Sequence, residues 1–309
     1  AKYLISNYDM LQNYIQGDLV WMMGYEISNS LGVHAPALNL HISFLCFINL
    51  YLFVSSLTKK TTMLLIIKRA LLLVLSMVVL LMINTRIAII AFLIGLLLYL
   101  GFLTLYKNQF FKRNIIIVFL IIFVLTIFLK IFPYTIEKFT LKTFNNIDMI
   151  GQIDQIENPE EKIYGSLVTR ITVWQITLNL ASSNLAYGYG VSDAHPKLFS
   201  AYEKMNQKFL AKHEYKVHNQ YLDFLLKFGV LGIILTMIFF LNIFRIGIEL
   251  RSSYALYFFF LFALANITDD FLIRYDGIVF SAFWISLFVK QKLDTSSYIT
   301  TQNPLDEKN

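Results

Sequence analysis

Charge is scarce in this chain. Of its 309 residues only 15% are Asp, Glu, Lys or Arg, well below the roughly 25% of an average soluble protein. A soluble domain of this length needs a charged surface, so an ordinary cytosolic enzyme is excluded, and so is a disordered chain. Cysteine is scarcer still. The single Cys46 permits neither an internal disulfide nor a zinc cluster, which excludes a disulfide-rich secreted scaffold. It sits in an apolar run and reads as a small buried hydrophobe. No signal-peptide pattern opens the chain, no Gly-rich phosphate loop occurs, and no internal repeat is seen. Apolar residues are abundant instead, at 57%. The composition points to an all-α, polytopic transmembrane helical bundle with membrane lipids around it. The net charge of +6 reads as basic loop bias on one side of a membrane, and no nucleic-acid partner is expected.

Seven apolar stretches approach the length of about 20 residues that a spanning helix needs. They are Pro36–Leu57, Met63–Asn84, Ile87–Tyr106, Asn114–Phe132, Phe228–Phe244, Ser253–Thr268 and Gly277–Val289. Lys68 and Arg69 fall inside the second, so their stems are expected to snorkel to the nearer interface. Basic residues gather after the odd-numbered spans: Lys59, Lys60, Lys68 and Arg69; Lys107, Lys112 and Arg113; Arg245 and Arg251; Lys290 and Lys292. Between spans, Glu249 alone opposes them. By the positive-inside rule that side is cytoplasmic. The expected organisation is an extracytoplasmic segment at 1–35, four spans at 36–132, and a mainly helical extracytoplasmic loop at 133–218. An interfacial helix with three spans follows at 219–292, then a polar, disordered cytoplasmic tail at 293–309.

The loop carries nine basic and nine acidic residues, so it is no general cation patch. Its function must come from placed residues. Ser166–Ala186 reads as a helix, with Leu167, Ile171, Trp174, Leu178 and Ala181 at spacings of three and four. Arg170 and Trp174 share one face of it. Tyr187-Gly-Tyr-Gly190 breaks that helix, and Lys197–Lys212 reads as a second. His218-Asn-Gln-Tyr-Leu222 opens an amphipathic stretch to Lys227, expected to lie on the membrane surface.

This set of motifs resembles the O-antigen ligase family of membrane glycosyltransferases. The residues carrying the resemblance are Thr85-Arg86 at a span start, Arg170-x-x-x-Trp174 followed by Gly188-Tyr-Gly190, His218-Asn-Gln-Tyr-Leu222 followed by Gly229-Val-Leu-Gly232, and Asp269-Asp270 followed by Gly277. They run in the family's order on the expected outer face. Ile87 replaces the usual Gly, and Lys216 stands where many members have another His. Members usually have about a dozen spans, and this chain opens on Ala1, so further N-terminal spans are expected to precede it. The resemblance implies a GT-C-like fold in a bacterial inner membrane, with the active site on the periplasmic face. It implies a glycan donor on undecaprenyl pyrophosphate and a lipid A-core or glycan acceptor, without a cofactor. A ligase and a polysaccharide polymerase fit equally. A lipid-linked sugar transporter would show repeats and broken mid-membrane helices, and a non-catalytic assembly partner is the remaining alternative.

Pyrophosphate departure needs positive charge held near the developing anions. Arginine suits it through its planar, permanently charged fork. Arg86 sits between two apolar runs, where charge is expensive unless paired or functional. With the resemblance, Arg86, Arg170 and His218 are the expected catalytic residues, the imidazole acting on an acceptor hydroxyl. Asn219, Tyr221, Trp174 and Lys216 are the expected substrate-binding residues. Asp269 and Asp270, being adjacent, would lie on different faces of any helix, so no metal-ligand cluster is expected. His34 and His41 flank the first span, and His34 could line a cavity. His195 and His213 read as loop surface.

Overall fold

The computed structural model describes residues 20–58, 61–105, 111–131, 133–163 and 166–302. Its helices are α1 (Val20–Ser30), α2 (Ala35–Thr58), α3 (Met63–Ile83), α4 (Arg86–Leu105), α5 (Phe111–Ile131), α6 (Pro133–Phe139), α7 (Leu141–Phe144), α8 (Pro159–Lys162), α9 (Leu167–Ser182), α10 (Ala194–Lys204), α11 (Lys208–Lys212), α12 (Gln220–Glu249), α13 (Ser253–Thr268) and α14 (Tyr275–Gln302). No strand occurs among the described residues. Five helices are long and apolar enough to cross a membrane: α2, α3, α4, α5 and α12. The sixth expected span is the 16-residue α13. The seventh is the apolar first half of α14. Lys59, Lys60, Lys107, the stretch before Val20 and the chain beyond Gln302 lie outside the described residues.

The bundle is centred on α2 and α13. The first packs on α3, α4 and α13, and the second on α4 and α12. Aromatic side chains fill the contact: Phe44, Phe47, Tyr257, Phe258 and Phe262 are fully buried, and so is Cys46. Tyr257 stacks on Phe47 with centroids 4.2 Å apart, and its hydroxyl lies 2.6 Å from Ser43 Oγ. Ser43 donates onward to the Ala88 carbonyl at 3.0 Å. Buried polar groups in an apolar bundle are thereby satisfied inside it. At the basic end, Arg69 Nη1 donates to the Leu52 carbonyl at 3.0 Å and Arg113 Nη1 to the Leu57 carbonyl at 3.1 Å. Both snorkel to the C-terminal part of α2, and Arg113, at its last turn, also meets the negative end of the helix dipole.

The loop between α5 and α12 has its own core, in which Val168, Val173, Leu198, Tyr202, Leu210 and Val217 are buried. Its long helix begins where expected, capped by Ser166 Oγ on the Thr169 amide, but ends at Ser182, four residues before the expected Ala186. The second expected helix, Lys197–Lys212, is instead two. Asn206 takes a left-handed conformation (φ 58°), ending α10. The Asp154 carboxylate then accepts from the Lys208 and Phe209 amides at 2.7 and 2.8 Å, starting α11 afresh. The polar tail also departs from expectation, because α14 stays helical to Gln302. Lys292 pairs with Glu249 at 2.5 Å along it. His195 and His213 are not plain surface. His195 Nε2 lies 2.9 Å from Asp223 Oδ1, and His213 Nε2 lies 2.7 Å from Glu160 Oε2. Asp223 is buried and also holds the buried Lys227 at 2.6 Å.

The helix expected at the membrane surface and the span share one label but not one geometry. Gly229 breaks α12 with φ 63° and ψ −154°. The break strips Leu226 and Lys227 of their helical partners. The loop supplies replacements: the Tyr189 amide donates to the Leu226 carbonyl and the Gly190 amide to the Lys227 carbonyl, both at 2.8 Å. The Val230 amide turns back to the Leu185 carbonyl at 2.8 Å. A Cβ on Gly188 would meet Lys227 C at 2.5 Å, and one on Gly229 would meet the Ala186 oxygen at 2.5 Å. Both glycines have positive φ, so conformation and space require glycine at each.

Candidate functional site

His218 stands between two fastened neighbours. Before it, Trp174 Nε1 donates to the Val217 carbonyl at 3.0 Å. After it, Asn219 caps α12 by accepting from the Tyr221 and Leu222 amides at 3.1 and 3.2 Å. The imidazole residue itself is left-handed, with φ 47°. A non-glycine residue holds that conformation only where its surroundings over-determine it. Here they do, for the Gln220 amide donates to the Asp269 carbonyl and Gln220 Oε1 accepts from the Leu272 amide.

The stitching brings the start of α12 against the end of α13. His218 Nδ1 lies 3.5 Å from Asp269 Oδ1. Arg170, one turn before Trp174 on α9, donates from Nη1 to the Thr268 carbonyl at 2.7 Å. The shared face expected for Arg170 and Trp174 is therefore the one turned to this junction. Tyr221 directs its hydroxyl to the Ala263 carbonyl at 2.9 Å and its ring to Phe240. Lys216 is exposed. The structure thus gathers His218, Arg170, Trp174, Asn219 and Tyr221 at one junction and leaves Lys216 at its edge. Asn219, Trp174 and Tyr221 hold the backbone there.

Asp269 and Asp270 behave otherwise than expected. They follow α13 outside any helix, Asp269 in extended conformation, and both carboxylates reach one partner. Arg274 Nη2 lies 3.0 Å from Asp269 Oδ1, and its Nε lies 2.9 Å from Asp270 Oδ1. His218, Asp269 and Asp270 each offer a ligand atom, all within 4.8 Å of one another. A potential metal-ligand cluster does exist, contrary to the expectation from adjacency. The oxygens concerned already face the Arg274 guanidinium. Burial alone would raise the Asp269 carboxyl, but His218, Asp270 and Arg274 hold it well below the usual carboxylate range. Burial and the neighbouring Asp269 push Asp270 upward. Arg274 Nη1 also lies 3.5 Å from His34 Nδ1. Burial, opposed by Asp269, lowers the His34 imidazole and favours its neutral form. Arg274 escaped the sequence reading. Its signal was the i, i+4 spacing from Asp270 in a loop of only a few residues.

Arg86 belongs to a second cluster. It begins α4, just after Asn84, a left-handed cap on α3. Asn84 Nδ2 donates to Thr135 Oγ1 at 3.0 Å, and Lys138 Nζ donates to the Asn84 backbone carbonyl. Burial first, and the Arg86 charge second, push the Lys138 ammonium down from 10.5 to about 8. The two clusters flank the start of α2. Asn39 contacts Thr85 Oγ1 at 2.8 Å, and His34, which touches Arg274, lies five residues earlier, about 7.5 Å along a helix axis. Both clusters therefore occupy the loop end of the bundle.

A family profile described as O-Antigen ligase matches residues 71–237. The chain belongs to the O-antigen ligase family. No curated protein matches it. The matched stretch takes in Arg86, Arg170 and His218, whereas His34, Asp269, Asp270 and Arg274 fall outside it. An O-antigen ligase family chain is a multi-pass membrane protein of the ligase or polymerase type. The fold agrees with that assignment, being all helical among the described residues with five helices able to span.

Proposed function

We propose that this protein is a glycosyltransferase that moves a glycan from undecaprenyl pyrophosphate to an acceptor hydroxyl, lipid A-core in a ligase reaction. The site faces the periplasm from the bacterial inner membrane. The observation that carries the reading is the contact of His218 Nδ1 with the buried Asp269 carboxylate. A carboxylate on Nδ1 fixes the tautomer that carries its proton there and leaves Nε2 as acceptor. Nε2 takes the proton of the acceptor hydroxyl as that oxygen attacks the anomeric carbon. The bond from this carbon to the pyrophosphate oxygen breaks, and its electrons stay with the leaving group. Arg86 and Arg170 stabilise the charge that gathers there. Arg274 balances Asp269 and Asp270, so neither carboxylate requires a metal ion. Asn219 and Trp174 serve by holding the backbone around His218, with Tyr221 anchoring the same turn.

The test is transfer in nanodiscs containing the purified chain, a lipid-linked glycan and lipid A-core. Glycan joined to lipid A-core supports a ligase. Chain lengthening without it supports the polymerase. Absence of both, in protein that still binds donor, overturns the enzymatic reading. Labelling a cysteine placed at Gln152 from outside intact cells is expected, and a cytoplasmic Gln152 overturns the assigned face.

A further inference from the structure

We propose that His34 is a second imidazole of the site, donating from Nε2 to an oxygen of the acceptor sugar while His218 takes the proton of the attacking hydroxyl. The proposal rests on the preceding reading and adds a specificity residue outside the stretch that the family profile matches. His34 immediately precedes α2, and its carbonyl accepts from the Leu38 amide at 2.9 Å. Arg274 immediately precedes α14, on a turn without slack: a Cβ on Gly277 would meet the Phe271 oxygen at 2.0 Å, and Phe271 is buried. The two helices start together and stay in register, for His41 of α2 stacks on Phe280 of α14 with centroids 4.4 Å apart. His41 lies seven residues beyond His34 and Phe280 six beyond Arg274, about 10 and 9 Å along the axes. Packing of the two helices thus carries the approach of Arg274 Nη1 to His34 Nδ1, at 3.5 Å.

The guanidinium decides what His34 offers. It can only donate, so Nδ1 accepts and the ring proton sits on Nε2. The same guanidinium reaches the other imidazole through one carboxylate: Arg274 Nη2 lies 3.0 Å from Asp269 Oδ1, which lies 3.5 Å from His218 Nδ1. A carboxylate can only accept, so His218 carries its proton on Nδ1 and offers Nε2 as acceptor. One ion cluster therefore supports two imidazoles of opposite character, a donor at His34 and an acceptor at His218. His34 is exposed and His218 keeps 29% of its side chain exposed, while Asp269 between them is buried. A phosphate diester would use the donor alone. A sugar uses both, since one hydroxyl gives its proton to His218 and another oxygen accepts from His34.

The experiment is steady-state transfer in nanodiscs from a lipid-linked glycan to synthetic lipid A-core ending in a hexose, and to its monodeoxy analogues. His34→Phe keeps the bulk of the ring and removes both nitrogens. His34→Gln keeps an acceptor for Arg274 and a donor for the sugar. Loss of one neutral hydrogen bond predicts that His34→Phe raises the acceptor KM about 3- to 10-fold, with kcat and donor binding within about twofold, and that His34→Gln recovers most of the loss. With the unaltered protein one monodeoxy analogue is expected to show the same penalty, and His34→Phe no longer distinguishes that analogue from the parent acceptor. KM does not depend on the folded fraction; if His34→Phe fails to fold, His34→Asn, which keeps the acceptor and withdraws the donor, takes its place. An unchanged acceptor KM, or an equal penalty on every analogue, overturns the contact of His34 with the acceptor. Absence of transfer to the parent acceptor by the unaltered chain overturns this role together with the ligase reading.

Discussion

Around His218 the carboxylates are answered by a cation. Asp269 and Asp270 share Arg274, and Arg170 rests on the carbonyl end of α13. Around Asn84 the bonds go to neutral groups, a carbonyl and a hydroxyl, and the charge acting on Lys138 is the second cation Arg86. The first cluster is complete before any ligand arrives, so it can fix a tautomer. The second gathers two cations, Arg86 and Lys138. One half of the site can hold a base; the other is cationic.

The sharpest way to break this contrast is His218→Ala. Transfer is expected to fall by about 10²–10⁴-fold, measured in nanodiscs, with lipid-linked donor still crosslinked at normal levels. His218→Lys does not rescue it, since an ammonium cannot act as the base at neutral pH. Donor binding lost in His218→Ala but kept in both arginine variants would reverse the two roles.

Arg86→Ala and Arg170→Ala come next. Each should lower transfer by about 10²-fold or more, as does removal of one preorganised transition-state donor. Lysine restores only part, because the bidentate geometry is gone. Full rescue by lysine would reduce the requirement to charge alone.

Asp269→Asn leaves shape intact and removes the carboxylate from Nδ1. The expected loss is about 1–3 kcal/mol in the barrier, roughly 5- to 150-fold in kcat, with donor binding unchanged. A change in donor affinity alone would place Asp269 in the anion half.

The smallest effect is expected from EDTA. Arg274 already faces the carboxylate oxygens, so transfer should survive chelation unchanged; loss restored by a divalent ion would assign the His218, Asp269 and Asp270 trio to a metal.

Much of this was legible in the sequence because burial in a membrane writes long apolar runs. The spans from Met63 and Arg86 begin within a residue of their expected starts, and α13 has the expected bounds. The start of the loop helix at Ser166 and the shared face of Arg170 and Trp174 followed from spacing. The failures share a cause, which is that a distant residue decided the local form. Asp154 cut the helix expected over Lys197–Lys212 by capping α11 from 54 residues away. Arg274 drew two adjacent carboxylates to one side, which no helical wheel allows. His195 looked like surface because its partner, Asp223, lies beyond the motif that contains it.

The break at Gly229 also sets an order of assembly. Ribosomes deliver residues 133–218 before α12, and α12 cannot close its own hydrogen bonds across the break. The Leu226 and Lys227 carbonyls are completed by amides from the 189–190 turn, and the Val230 amide by Leu185. A buried backbone group left without a partner costs about 1–3 kcal/mol, so a span arriving ahead of a folded loop lacks the partners it needs at the break. The loop is thereby a template for the helix that follows it. Grafting a foreign loop between α5 and α12 would interrupt insertion of the protein before it touched specificity.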